Sequence, residues 1–461
     1  VSFIISIILA RLLFPQEYGV IALSMVFINI TNVFAVSGLG TSLIQKKDAD
    51  DVDFSTMFYA GIFISVALYG LLFLAAPFIA DLYHSELVCP VLRALGLVVP
   101  IQAVNSIQQA AVSRGLDFKK FFFATSVGTV VSGIVGVALA YTGFGVWALV
   151  GQQLTNHVVN TLTLNRIIRW RPQWAFSYSR FKGLFSFGSK LMLANLLHTF
   201  YVNCYSLIIG KFFSASQLGF FNRSYTLAQF PSTNFTNIVV RAVYPIQCRY
   251  QDDMPRLRSM FLKYMRMSCY LIFPVMVAVA ALAKPLVEVV LTDKWLPAVP
   301  YLQILCVAFM WDPVMKINHS ILNVKGRTDY FLYAEIWKKL IAFAILFVTI
   351  PLGVSAMCWG LVLYSFADMG VIICYSRKLM KAGYLRQLCE LLPVLLLNGI
   401  MGMCLYLITL LPLSAWERLL LGVPSGLIIY VVGSCVFHMS EWQMLLSVLN
   451  KSGGRSSLSS E

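Results

Sequence analysis

The sequence predicts an all-α integral membrane protein of about fourteen transmembrane helices, set out as two pseudo-symmetric six-helix lobes followed by two further helices. Three observations predict it. Hydrophobic residues fill 59% of the 461 positions and charged residues only 12%, against about a quarter charged in a soluble domain. The apolar residues gather in runs of about 20, enough to cross roughly 30 Å of hydrocarbon, without the period-two alternation of a barrel strand. Three short motifs of the first half recur, in the same order, in the second.

The first block holds six apolar runs, at residues 1–13, 20–43, 54–80, 88–112, 121–141 and 145–165. The opening run starts at the first residue, so part of the first span is expected to be missing, and no cleavable signal peptide is legible. In ARLLFPQEYG (10–19), Pro15 and Gly19 break the helix, leaving Arg11 at the interface and Glu17 in the outer hairpin. A second block of six follows at 184–212, 217–244, 261–283, 296–324, 330–350 and 354–375, and runs at 388–411 and 419–437 close the chain. The expected domains are residues 1–168 and 183–376 for the lobes, 388–438 for the added pair, and 439–461 for a cytoplasmic tail.

The repeat fixes this division. At an offset of 200, ARLLFPQEYG matches GKFFSASQLG (210–219), pairing Arg11 with Lys211 and Gly19 with Gly219. SRGLDFKKF (113–121) matches VKGRTDYF (324–331), and GFGV (143–146) matches PLGV (351–354). Six spans per copy is an even number, so both copies enter the membrane in the same direction and are expected to flank a central cleft.

The chain carries 35 Lys and Arg against 20 Asp and Glu, a net charge of +15. The excess marks orientation, and nucleic acid is not an expected partner. Lys46, Lys47, Arg114, Lys119, Lys120, Arg166, Arg169, Arg171, Arg180 and Lys182 fall in alternate loops of the first block. Arg241, Arg249, Arg256, Arg258, Lys263 and Arg266, then Lys325, Arg327, Lys338 and Lys339, then Arg377, Lys378, Lys381 and Arg386 continue the alternation. By the positive-inside rule those loops and both chain ends face the cytoplasm. The loops are too short to house a soluble active site, so an enzyme is not expected.

Charged and polar residues within the runs are the candidate substrate contacts, because an ion in hydrocarbon costs several kcal/mol unless it faces a cavity or a partner. Asp312 and Lys316, in FMWDPVMKINH, stand one turn apart beside a kink or break at Pro313, and Asn318, His319 and Asn323 continue the polar run. Lys190, Asn195, His198 and Asn203 give the seventh span a polar aspect, and Asn222 and Arg223 do so for the eighth, with Arg223 near the outer surface. Arg11 and Lys211 either reach lipid phosphates or edge an outer vestibule. Gln102, Asn105, Gln108 and Gln109 share a helix face in the fourth span, and Gln153, His157 and Asn160 in the sixth; such stripes serve as interhelical bonds or as ligand contacts. The ten scattered cysteines form no CxxC pair, the five histidines no HExxH, and no Walker motif GxxxxGK[ST] is present. No metal or cofactor is expected, and the motor is a Na+ or H+ gradient or the substrate's own gradient. Intramembrane acids are few, chiefly Asp312, Glu335 and Asp368, so a cleft edged by Arg and Lys suits an anionic head group.

ARLLFPQEYG, SRGLDFKKFF and FGSKLMLANLLHTFYVNCYSLIIGKFFSASQLGFFNRSYTLAQFP resemble the polysaccharide-transporter branch of the multidrug/oligosaccharidyl-lipid/polysaccharide exporter superfamily, the Wzx-type flippases, and its colanic-acid-exporter-like subgroup. The resemblance implies a V-shaped two-lobed transporter of a bacterial inner membrane. It implies a flippase that carries undecaprenyl-pyrophosphate-linked oligosaccharides from the cytoplasmic to the periplasmic leaflet by alternating access, for lipopolysaccharide O-antigen, capsule or exopolysaccharide. Cationic residues would hold the pyrophosphate, a role carried as a class onto Arg11, Lys190, Lys211, Arg223 and Lys316, with Asp312, His319, Asn105 and Gln109 completing the candidate site. Expected partners are the lipid-linked oligosaccharide, membrane lipids, a polysaccharide polymerase and a chain-length regulator. The alternatives are a cation-coupled multidrug or metabolite antiporter of the same superfamily, and a multispan polysaccharide polymerase.

Overall fold

The computed structural model describes residues 1–453 except 37, 38, 47, 116 and 169, with the backbone alone at 187, 190, 191, 194, 328 and 447–453. Lys47, Arg169, the side chain of Lys190 and the tail beyond 453 therefore lie outside the described residues. The chain forms two compact units, Val1–Asn222 and Arg223–Glu461.

The first unit contains α1 Ser2–Leu12, α2 Pro15–Val36, α3 Leu39–Gln45, α4 Asp51–Leu82, α5 Val88–Gly96, α6 Val98–Arg114, α7 Phe118–Tyr141, α8 Val146–Ile167, α9 Tyr178–Phe212 and the first turns of α10 Ala215–Arg249. The second holds the rest of α10, α11 Met254–Ala281, α12 Ala283–Val290, α13 Val299–Phe309, α14 Asp312–Val324, α15 Thr328–Thr349, α16 Val354–Met380, α17 Tyr384–Leu410, α18 Ala415–Val436 and α19 Ser440–Gly453. No strand occurs among the described residues.

Each of the predicted apolar runs lies on helix. Helicity reaches beyond apolarity at α9 and α10, which start or end well outside the runs at 184–212 and 217–244. The run at 296–324 divides where expected. Pro313 has no N–H to give, so it fits the first turn of a new helix, and α14 starts at Asp312.

Among the described residues, nine segments are long and apolar enough to cross a membrane: 15–45, 51–82, 88–114, 118–141, 254–281, 293–324, 354–380, 384–410 and 415–436. Their outward faces suit lipid, with Phe63, Leu74, Phe78, Leu420 and Leu427 all largely exposed. Helices α8, α10 and α15 have the length but are more polar or more highly charged than these nine.

The contact boundary at 222/223 falls later than the 168–183 junction drawn from the repeat, because α9 packs on α2, α3 and α4. Local geometry is nonetheless alike within each of the three motif pairs. In the first, Leu13 and Phe213 leave α1 and α9 in extended conformation, their amides bonding Leu9 and Ile209. The next helix is then capped alike, the Phe14 amide donating to Glu17 Oε2 at 2.6 Å and the Ser214 amide to Gln217 Oε1 at 3.4 Å. In the second, the Arg114 guanidinium donates to the carbonyls of Leu43, at 2.8 Å, and Lys46, while Lys325 donates to that of Gln251 at 2.9 Å. Each cation thus closes the end of the hairpin helix two spans earlier. In the third, Gly145 and Gly353 have φ of 56° and 96°, a region that favours glycine, immediately before α8 and α16.

The two copies of the first motif also touch. A Cβ on Gly19 would lie 2.6 Å from the carbonyl carbon of Ala215, and one on Gly219 would lie 2.8 Å from that of Pro15. Pro15 and Ala215 are equivalent positions at the offset of 200, so the contact is reciprocal. A local two-fold axis passes between two bare glycines.

Candidate functional site

Each unit contains a polar cavity. The cavity of the second unit, about 480 Å³, opens between α10 and α14 and is lined by Asn237, Arg241, Tyr244, Lys316, His319 and Asn323. Positions 237, 241 and 244 recur at helical spacing, so α10 turns one polar stripe toward it. Arg241 lies within α10, not in the loop to which cation counting assigned it, and is exposed with no described partner.

Asp312 anchors the wall behind these cations. It occupies the first turn of α14, where helix N–H groups favour negative charge. Its Oδ2 accepts from Thr233 Oγ1 at 2.9 Å and lies 3.5 Å from Lys316 Nζ, which also reaches Asn237 Oδ1 at 3.3 Å. Asp312 is thereby buried and tied, while no carboxylate lines the cavity among the described residues. The cavity offers two cationic donors and amide groups to an anion.

His319 connects the cavity to a second layer of charge. Its Nε2 is 3.7 Å from Glu335 Oε1, and its ring lies 4.3 Å from that of Phe331. Glu335 receives Lys338 at 2.7 Å, and Lys338 lies 3.2 Å from Asp368. Lys338 therefore belongs to the interior of α15 and its charge is matched there, although the sequence reading grouped it with the loop cations. Asn318 turns away from the cavity; fully buried, it bonds Gln387 and Ser376 and so joins α14, α16 and α17.

The first unit's cavity, about 360 Å³, is uncharged in character and bounded by Asn29 and Asn32 of α2, Gln102 of α6, and His198, Thr199 and Asn203 of α9. Gln102 Nε2 sits 3.4 Å from a ring nitrogen of His157 on α8. Such a surface presents amides and an imidazole, which pair with hydroxyl groups. Sequence reasoning named Gln102, His198 and Asn203 but missed Asn29 and Asn32. Their signal was a three-residue spacing within INITNVF, concealed by the apolar run around it.

The remaining sequence candidates are dispersed. Asn105 donates to Thr161 Oγ1 on α8 at 3.1 Å and accepts from Gln109, an interhelical link. Lys211 donates to the Leu82 carbonyl at 2.6 Å, closing the C-terminal end of α4. Arg11 is exposed in the last turn of α1 with no described partner, the arrangement of a residue reaching toward lipid head groups. Arg223 was expected near the surface, yet it is buried in α10. The structure thus brings Asp312, Lys316 and His319 together and leaves Arg11, Lys211, Asn105 and Gln109 outside either cavity.

Comparison with known proteins follows the same architecture. The chain is 25% identical over 405 residues to the teichuronic acid biosynthesis protein TuaB of Bacillus subtilis (strain 168), covering 86% of this chain and 83% of that protein. It is 23% identical to the lipopolysaccharide biosynthesis protein WzxC of Escherichia coli (strain K12), over 72% of this chain and 68% of the relative. Among solved structures, the lipid II flippase MurJ in an inward closed conformation superposes with a TM-score of 0.77 at 12% identity, covering 95% of this chain and 97% of MurJ. An inward-facing multidrug resistance MATE family transporter gives 0.64 at 16% identity, over 83% and 95% of the two chains. The fold is that of this transporter class, and the protein is a multi-pass membrane protein. A family profile described as polysaccharide biosynthesis protein matches residues 8–300, well over half of the chain, and the protein belongs to that family.

Proposed function

We propose that the protein is a flippase for polysaccharide repeat units, turning undecaprenyl-pyrophosphate-linked oligosaccharides from the cytoplasmic to the periplasmic leaflet of a bacterial inner membrane. No bond is made or broken; the polar head crosses through protein while the polyprenyl tail stays in hydrocarbon, so no sugar hydroxyl need lose its hydrogen bonds to lipid. Arg241 and Lys316 hold the diphosphate. Fourteen crossings with both ends cytoplasmic and alternating access driven by a Na+ or H+ gradient complete the reading.

The observation that carries it is the pair Arg241 and Lys316 in a cavity without a lining carboxylate. Charge-assisted bonds to a phosphate contribute about 1.5–3 kcal/mol each, or roughly ten- to a hundredfold in affinity. A cation-exporting drug antiporter needs acids free to receive its substrate. Here Asp312 is bonded to Thr233 and faces Lys316, and Asp368 and Glu335 share Lys338.

The test is complementation in a strain lacking the protein, scored by lipid-linked repeat units left on the cytoplasmic leaflet. Arg241→Gln and Lys316→Gln should each cut translocation about tenfold or more. Full activity in both variants would remove the diphosphate assignment, and dye export lost with Asp368→Asn would favour the antiporter.

A further inference from the structure

A third cavity, about 580 Å³, lies elsewhere in the second unit, between the starts of α11, α17 and α19. Helix α11 turns Arg258, Lys263 and Arg266 into it, α17 contributes Arg386 and Glu390, and α19 contributes Ser440 and Glu441. Four cations thus surround two carboxylates, a local excess of two positive charges.

The pairing concentrates that excess. One arginine, Arg266, satisfies both acids, with Nη1 3.0 Å from Glu390 Oε2 and Nε 2.6 Å from Glu441 Oε1, while Nη2 reaches Ser440 Oγ at 3.3 Å. Among the described residues no carboxylate comes within 4.0 Å of Arg258, Lys263 or Arg386. The Nε of Arg258 is shut off from solvent with no hydrogen-bond partner, an N–H left waiting for an acceptor. The first turn of α19, through Ser440 and Glu441, borders the same space. Leu262 and Met444 supply an apolar edge.

A solvated basic surface that merely orients the chain would leave its guanidinium nitrogens in water. Here the cations converge on one cavity, the Nε of half-buried Arg258 sealed from solvent and without a partner, beside apolar side chains. We propose that this cavity is a second anion site, which takes the phosphate or diphosphate group of a membrane lipid of net negative charge by way of Arg258, Lys263 and Arg386. The forked donors of two arginines match phosphate oxygens, and the Leu262 and Met444 edge suits a headgroup that carries an acyl or prenyl chain better than a free ion. The site does not depend on what the protein transports.

The full-length protein in a neutral detergent serves for the test. Native mass spectrometry measures retention of phosphatidylglycerol against phosphatidylcholine, and calorimetry measures binding of inorganic pyrophosphate. The wild type should retain phosphatidylglycerol about tenfold better than phosphatidylcholine, and Arg258→Gln with Arg386→Gln should abolish that preference. Lys316→Gln, which alters the other cavity, should leave it intact. Loss confined to phosphatidylglycerol identifies a lipid headgroup; a parallel loss of pyrophosphate binding shows that the phosphate group alone suffices. Equal retention of the two lipids by the wild type would overturn the proposal without any variant, as would an unchanged preference in a double variant that melts like the parent.

Discussion

The reciprocal contact of Gly19 and Gly219 makes a quantitative prediction, since each position faces backbone and no pliable side chain. A methyl group on Gly219 would sit 2.8 Å from the Pro15 carbonyl carbon and 3.3 Å from the Gly19 nitrogen, whereas ordinary carbon contacts begin near 3.4 Å. A methyl on Gly19 would sit 2.6 Å from the Ala215 carbonyl carbon and 3.1 Å from its Cα. Relief requires α2 and the first turns of α10 to move apart by about 1 Å, and forced separations of that kind cost about 1–3 kcal/mol. Gly19→Ala and Gly219→Ala should each lower thermal stability in detergent by that amount. The double variant should lose clearly less than the sum, because one separation relieves both clashes. Additive losses would show that the positions do not share a joint, and wild-type melting in both single variants would refute the close approach itself.

Four further expectations follow from charged and polar pairs. Asp53, buried at the start of α4, receives Lys46 at 2.6 Å and lies 3.3 Å from Arg180, and it forms a reciprocal cap with Asp50. Asp53→Asn should cost about 1–2 kcal/mol by denaturant unfolding, the half-exposed cations recovering part of the loss in water. The Arg180 guanidinium beside Asp50 holds that carboxyl at about 2, below its ordinary value of 3.8. A depressed folded value stabilises above the unfolded value, so this contribution is constant at neutral pH and disappears between about pH 4 and 2; an Asp50→Asn variant should lose that acid sensitivity. Lys338→Met leaves Glu335 and Asp368 without their shared cation and should destabilise by about 3 kcal/mol, with Asp368→Asn in the same chain restoring part of it. Asn318→Leu removes the acceptor for Ser376 and Gln387, both buried, and should cost about 2 kcal/mol on melting.

The helical membrane architecture was legible because apolar runs are set by the bilayer, which demands internally bonded backbone of a fixed length. Its edges were less so. The polar start of α9 and end of α10 continue their helices beyond the apolar runs, and hydropathy does not register a helix that continues into polar residues. The repeat was readable from three motifs because each motif performs a backbone task, a cap or a left-handed turn, that tolerates little substitution. The site was only partly readable. Helical spacing told that Gln102, Asn105 and Gln109 share a face, but not that Asn105 would be consumed by Thr161 and Gln109 while Gln102 faces a cavity. Arg241 and Lys338 were misplaced for one reason: counting cations near span ends assumes that each lies at an interface, and it cannot register a carboxylate or a cavity two turns away on another helix.

That failure and the three helices too polar or too charged to pass for membrane spans have a common origin. Helix α8 carries His157, α10 carries Asn237 and Arg241, and α15 carries Glu335 and Lys338. A helix facing lipid around much of its circumference cannot carry such residues unless they turn inward, since each exposed ion costs several kcal/mol. The cavity beside Lys316 draws on α10, and the charge layer behind His319 is built on α15. Low hydropathy in a long helix of a membrane protein therefore marks a face turned to protein or to a cavity, and in this chain it was a better guide to the site than the charges nearest the span ends.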